Sequence, residues 1–262
     1  MTILRMSLIV VATGALFAFA YRGGAARDPV AAGPAAASTS AGDTGAGTIA
    51  GKITFSGAAP SPQKAKLSAD PKCAALHKNG LETRPIKVKD GGLAEVLVYV
   101  KSGIGLQDSV PVEPFLLDQI GCEYHPSLIV VRVGQPLRIR NSDDTLHNVH
   151  PRPAINKEFN IGQPRKGMEV TRTFDKPELM IPTGCDVHPW MRAYISVLAH
   201  PFFSLTREDG SYEIKGLPDG EYDVEAVHSQ LASATGRISV KDGRTSRLDL
   251  SLKGKSATAS GP

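Results

Sequence analysis

The sequence is short of several things at once. It has three cysteines, too few to build a disulfide scaffold and, being odd, enough to leave at least one thiol for another task. None lies in a Cys-x-x-Cys-His motif, so covalently attached haem is excluded. There is no Gly-x-Ser-x-Gly elbow, so hydrolase chemistry of that kind lacks its nucleophile. Lys and Arg number 30 against 26 Asp and Glu, a net charge of +4 that forms no basic run. Nucleic acid is therefore not an expected partner. Outside the first residues no apolar run approaches the roughly 20 needed to cross a bilayer, so no integral membrane domain is expected. Nor does any stretch beyond the leader carry a 3.6-residue apolar period, which excludes a helical bundle. What remains is 41% hydrophobic residues with 26 Gly and 19 Pro, enough apolar surface for a packed core and enough turn residues for many short strands.

The first residues set the compartment. Arg5 precedes an uncharged apolar run over 6–20 that ends in Ala18-Phe19-Ala20, the small-x-small pattern of a signal peptidase site. The run predicts an export signal over residues 1–20 cleaved near Ala20, with an uncleaved anchor as the alternative. Residues 21–47 are mostly Ala, Gly, Pro, Ser, Thr and Asp and predict a flexible linker. The mature chain is then periplasmic or secreted, where disulfides persist.

From Thr48 the pattern turns to strands. Alternating or continuous apolar segments fall at 48–55, 93–100, 115–121, 128–133, 136–140, 170–174, 178–181 and 193–198. A meander follows over 203–252, punctuated by Asp209-Gly210, Pro218-Asp219-Gly220 and Asp242-Gly243. Residues 58–85 read as irregular. The expected class is all-β, as packed sandwiches.

The chemistry gathers in Cys185-Asp186-Val187-His188-Pro189-Trp190-Met191-Arg192. A thiolate, an imidazole and a thioether at three-residue steps are the soft donors that suit copper cycling between Cu(I) and Cu(II). A mononuclear site of this kind needs a second imidazole. Asn141-Ser142-Asp143-Asp144-Thr145-Leu146-His147-Asn148-Val149-His150 offers two candidates just past a strand. No His-x-His pair is present for a second copper centre, which argues against a copper enzyme.

With its Cys-x-x-His-Pro-aromatic-Met-Arg loop and His-Asn-Val-His segment, the stretch 112–200 resembles the cupredoxin family in its short-loop, amicyanin-like form. The resemblance implies a Greek-key β-sandwich holding one type 1 copper ion, with His147, Cys185, His188 and Met191 as ligands and His150 as a non-ligand neighbour. It implies that the backbone N–H of Asn148 hydrogen-bonds the Cys185 sulfur. It also implies that the ring edge of His188 reaches the surface, beside a docking patch that includes Pro189 and Trp190. The function implied is one-electron transfer without catalysis. The redox partner would be a c-type cytochrome or a periplasmic dehydrogenase. A copper carrier, or an envelope structural protein with incidental copper, are the rival readings.

With Cys185 on the metal, Cys73 and Cys122 are left as a pair that an oxidising compartment would bridge. The alternative is a second metal site joining Cys73, His77, Cys122 and His125. Finally, Gly47-Thr48-Ile49-Ala50-Gly51 together with Asp209-Gly210-Ser211-Tyr212 and Leu217-Pro218-Asp219-Gly220-Glu221-Tyr222 resembles the carboxypeptidase regulatory-like domain, a small prealbumin-type sandwich. Its two pieces, 48–101 and 201–254, flank the copper region, so the expected architecture is a discontinuous sandwich with the copper domain inserted. A tandem arrangement is the alternative.

Overall fold

Gly47–Ser56 is the strand on which the distant parts of the chain meet. Its inward residues Ile49 and Ile53 are fully buried. Ser211–Leu217 pairs antiparallel along one edge. Thr245–Arg247 and then Leu250–Lys253 pair parallel along the other. A second sheet, with Leu97–Ser102 between Phe203–Leu205 and Gly220–Val227 and with Ala234–Val240 outside, closes the sandwich. Ile49, Ile53, Val98, Val100, Tyr212 and Val224 belong to the core between them. A lone strand at 48–55 cannot stand by itself, and the partners it needs come from the far end of the chain. The computed structural model describes residues 46–104 and 110–255. The predicted leader and nearly all of the predicted linker lie outside them.

The strand expected over 93–100 is broken in two. Gly92–Leu93 pairs with Val88–Lys89 and touches Thr54 in the first sheet. Glu95 then takes a left-handed φ of 57°, and Leu97–Ser102 continues in the second sheet. Thr206 pins this crossing: its Oγ1 accepts from the Val96 amide at 3.0 Å and donates to Leu93 O at 2.7 Å. The Asp209-Gly210 turn is equally tied down. Gly210 has φ +81° and a Cβ there would lie 2.3 Å from Ile53 O, while its own carbonyl accepts the Ile53 amide at 2.8 Å.

A second core lies between two further sheets. One is Glu169–Arg172, Leu137–Asn141, Phe115–Ile120 and Glu123–His125. The other is Ile161–Gln163, His147–Pro151, Glu178–Gly184, Arg192–Leu198 and Leu128–Arg132. Two of the pairings are parallel, Phe115–Ile120 with Leu137–Asn141 and Leu128–Arg132 with Arg192–Leu198. Leu117, Ile129, Ile139, Val149, Ile181 and Ile195 fill the space between the sheets. Strand Glu178–Gly184 runs three residues beyond the expected 181 and so delivers the chain directly to Cys185.

The stretch 58–85 is not wholly irregular. It holds a short helix, Pro71–Leu76, started by Asp70 as N-cap and Pro71 in the first turn. Cys73 on that helix is fully buried in the second core, not in the sandwich expected to take 48–101 as a whole. Cys73 and Cys122 are disulfide-bonded, as expected from the odd cysteine count.

Two stability predictions follow from these joints. Gly210→Val should lower stability by about 1–3 kcal/mol, from left-handed strain and the clash with Ile53 O; a thermal melt equal to wild type would contradict the packing of that turn. Burial alone would raise the Glu178 carboxyl, but it accepts N–H bonds from Ala154, Ile155 and Asn156 and these hold it below its ordinary value. A depressed folded-state value stabilises the protein above the unfolded-state value of about 4.3. That contribution disappears as the pH falls further. The melting-temperature gap between wild type and Glu178→Gln should therefore be widest near neutrality and shrink under acid.

Candidate metal centre

Three elements bring the donors together. Leu137–Asn141 ends in a turn shaped by Asn141, whose side chain accepts the Asp143 amide at 2.9 Å and donates to Thr145 O at 2.9 Å. The turn delivers His147 at the start of strand His147–Pro151. Glu178–Gly184 delivers Cys185. The loop back to Arg192–Leu198 then carries His188 and Met191 and closes on itself, with the Met191 amide on His188 O and the Cys185 amide on Met191 O. His147 and His188 are 0% exposed, Met191 1% and Cys185 5%. Candidate donor atoms of His147, Cys185 and His188 all lie within 4.8 Å of one another.

The outer ring nitrogens decide which inner ones are free. His147 Nε2 lies 2.9 Å from Asp143 Oδ2, and His188 Nε2 lies 2.9 Å from Asp70 Oδ2. A carboxylate only accepts, so each Nε2 carries the proton. The two Nδ1 atoms then face inward, 2.9 Å apart, with Cys185 Sγ 3.7 Å from that of His188. Two imidazole nitrogens and a thiol converging in a buried site share a proton when metal-free and offer three donors to a cation that displaces it.

In the metal-free protein His147 carries the proton that a bound cation would displace. Burial lowers His147, but hydrogen bonds to Asp143 and Cys185 and their negative charge outweigh it and raise the imidazole to about 9. Burial raises the Cys185 thiol, yet the hydrogen bond from His147 and backbone N–H groups of Asn148, His188 and Val187 bring it below its ordinary value. His188 is lowered, by burial first and by the neighbouring His147 charge, against the pull of Asp70. The site thus stabilises a thiolate. A thiolate and two imidazole nitrogens, with Met191 buried on the same loop, suit copper better than a hard cation.

Asn148 contributes through more than its amide. Its Oδ1 lies 3.2 Å from Cys185 Sγ and accepts the Asp186 amide at 2.7 Å, while its Nδ2 reaches Asp186 and Asn160. His150 is turned away: Nδ1 faces Asp186 at 2.9 Å and Nε2 faces Glu158 at 2.6 Å. Of the two histidines left open by the residue pattern, only His147 joins Cys185 and His188.

One expectation is overturned. The ring edge of His188 does not reach the surface. Asp70 and the half-cystine Cys73, whose Sγ lies 3.8 Å from Nε2, cover it. Pro189 is exposed, and Trp190 is partly buried, its ring 4.9 Å from that of His188 at a 39° tilt and its indole N–H donated to Cys122 O. The alternative second metal site also falls away, because Cys73 and Cys122 are joined and His77 Nε2 bonds Gly121 O at 2.7 Å.

Asp70 and Asp143 do not stand out in the sequence as site residues. Signals exist: Asp-Pro before a short apolar stretch is a helix start, and Asp143 stands four residues before His147. Neither signal says that the carboxylate ends on a histidine.

No protein-family model matches the chain, and no curated protein sequence matches it. Among solved structures, the copper-containing nitrite reductase from Thermus scotoductus SA-01 shares 21% identity over 38% of this chain, with a TM-score of 0.30. The matched part spans only 25% of that reductase. A reduced mutant of amicyanin shares 22% over 38% of this chain and 98% of its own, also at 0.30. A purple cupredoxin from Nitrosopumilus maritimus shares 19% over 32% of this chain and 98% of its own, at 0.28. The structural neighbours are thus cupredoxins, and the likeness is partial.

Removing the bridge should cost roughly 2–4 kcal/mol of stability, read as a lowered denaturation midpoint in Cys122→Ser. Non-reducing peptide mapping should recover the peptides of Cys73 and Cys122 linked; two free thiols at these positions would contradict the pairing.

Proposed function

We propose that the chain is an exported type 1 copper protein that carries single electrons. The observation that supports this most is the pair of inward Nδ1 atoms 2.9 Å apart beside the Cys185 thiol, with both outer nitrogens engaged. His147, Cys185 and His188 would bind the ion, and Met191 would supply the weak fourth donor from the same loop. Bound copper supplies a one-electron couple. The chain's own part is to fix the donors before the metal arrives, to stabilise the thiolate through Asn148 and its neighbours, and to keep water out. Rigid, buried donors suit a couple whose two oxidation states differ little in geometry.

The burial of all four donors favours a resident ion over one handed on, and so favours an electron carrier over a copper carrier. No reaction is proposed. The redox partner would be a c-type cytochrome or a periplasmic dehydrogenase, approaching near exposed Pro189. Among the described residues no helix is long and apolar enough to cross a membrane. The leader over 1–20 supports a periplasmic or secreted location. The copper domain, 112–200 together with the helix that carries Cys73, would be set into a discontinuous sandwich of 48–101 and 201–254. The likeness of that sandwich to carboxypeptidase regulatory-like domains rests on its two turn motifs.

Adding Cu(II) to the metal-free full chain should give a 1:1 complex with an intense visible thiolate-to-copper band. Cys185→Ala should lose the colour, and Met191→Ala should keep it with an altered potential. A colourless Cu(II) complex of the wild type would reject the type 1 assignment. Slow loss of copper to a chelator supports electron transfer, whereas rapid loss favours copper delivery.

A further inference from the structure

Each candidate copper histidine is held from behind by a carboxylate, and each carboxylate is held in turn by one half of the same disulfide. Asp143 accepts the amides of Gly121 and Cys122 at 2.8 and 2.7 Å and faces His147 Nε2 at 2.9 Å. Asp70 accepts the amides of Lys72 and Cys73 at 2.8 and 3.0 Å, the Thr145 hydroxyl at 3.0 Å, and faces His188 Nε2 at 2.9 Å. Cys73 and Cys122 are bonded. The two aspartates come from segments more than 70 residues apart in the chain, yet they form one frame behind the site.

We propose that Asp70 and Asp143 are positioning residues of the copper centre, each fixing the tautomer and aim of one ligand histidine, with the Cys73–Cys122 bridge tying the two into a single support. This rests on the copper reading above. The physical effect has two parts. A carboxylate that accepts Nε2–H locks the ring so that Nδ1 is the donor. It also makes that nitrogen a stronger donor and places negative charge near the ion, both of which favour Cu(II) over Cu(I). Asp70 does a third thing, because it covers the ring edge of His188 and leaves it 0% exposed.

The bridge matters because neither carboxylate is anchored by its own backbone alone. Asp143 sits on a turn and Asp70 on the first residue before a helix of six. The bridge holds that helix against Gly121 and Cys122, the turn between Phe115–Ile120 and Glu123–His125, where His77 and Trp190 also bind carbonyls. Asn at position 70 keeps a good N-cap through its Oδ1, but puts an NH2 donor where Oδ2 accepts the His188 Nε2 proton, so the helix should persist while the charge and that acceptor are lost.

The test uses the full chain with Cu(II) and Cu(I), as wild type, Asp70→Asn, Asp70→Ala and Asp143→Asn. The copper band and stoichiometry of the wild type come first: absence of a type 1 site there overturns the copper reading, and this proposal with it. Given that site, Asp70→Asn should shift the potential upward, and Asp70→Ala should lose copper to a chelator about 10–100-fold faster. Denaturation of each metal-free variant separates these effects from a loss of fold. If both Asp70 variants keep the wild-type potential and copper-loss rate, the positioning role is rejected while the copper reading stands. Nitrogen NMR of the wild-type Cu(I) protein tests it without substitution: protons on Nε2 of His147 and His188 support the proposal, and an unprotonated Nε2 on either ring rejects it for that residue.

Discussion

The tip of one hairpin organises the candidate metal centre. Phe115–Ile120 and Glu123–His125 are joined by Gly121 and Cys122, both with φ > 0, as a two-residue hairpin loop requires. Glycine adopts that conformation freely, whereas cysteine adopts it at a cost. The cost is offset locally. The Asp143 carboxylate accepts both loop amides, charge-assisted bonds worth roughly 1.5–3 kcal/mol each. His77 binds the carbonyl of Gly121, Trp190 binds that of Cys122, and the bridge to Cys73 leaves from the same residue. Every backbone group at the tip is therefore committed, and the bonds from Asp143 and Trp190 link it to the candidate donors His147 and His188.

Much of the architecture is legible in the order of residues. Alternation at 48–55 together with a meander lacking partners demands long-range pairing, and the pairing of Ile49 with Ile214 and of Ile53 with Leu250 supplies it. The break at Glu95 is not legible there. Leu93 to Val100 is apolar enough to look like one strand, and only the placement of Thr206, more than a hundred residues away, reveals that the chain changes sheets at this point. Local patterns report which residues are buried but not which of two cores receives them, and Cys73 illustrates the same blindness.

At the site, the donors are legible because their chemistry is written in spacing: thiol, imidazole and thioether at three-residue steps. The residues behind the donors are not. Asp70 lies 118 positions from the histidine it contacts, and nothing in a carboxylate's neighbours along the chain announces such a partner. The cover over His188 follows from this blind spot. A resemblance confined to 112–200 carries the exposure expected of a domain without a cap, and the cap is contributed from outside that stretch.

The seam formed by Gly47–Ser56 has a temporal meaning as well as a spatial one. Its parallel partner Leu250–Lys253 is close to two hundred residues further along the chain, so closing that contact carries a higher loop-entropy cost than the pairings inside the second core. Most strands of the second core lie between the two and pair over far shorter distances. A nascent chain can thus present all strands of the second core while Gly47–Ser56 still waits for Leu250–Lys253. The order of synthesis presents the strands of the second core before the last partner of Gly47–Ser56.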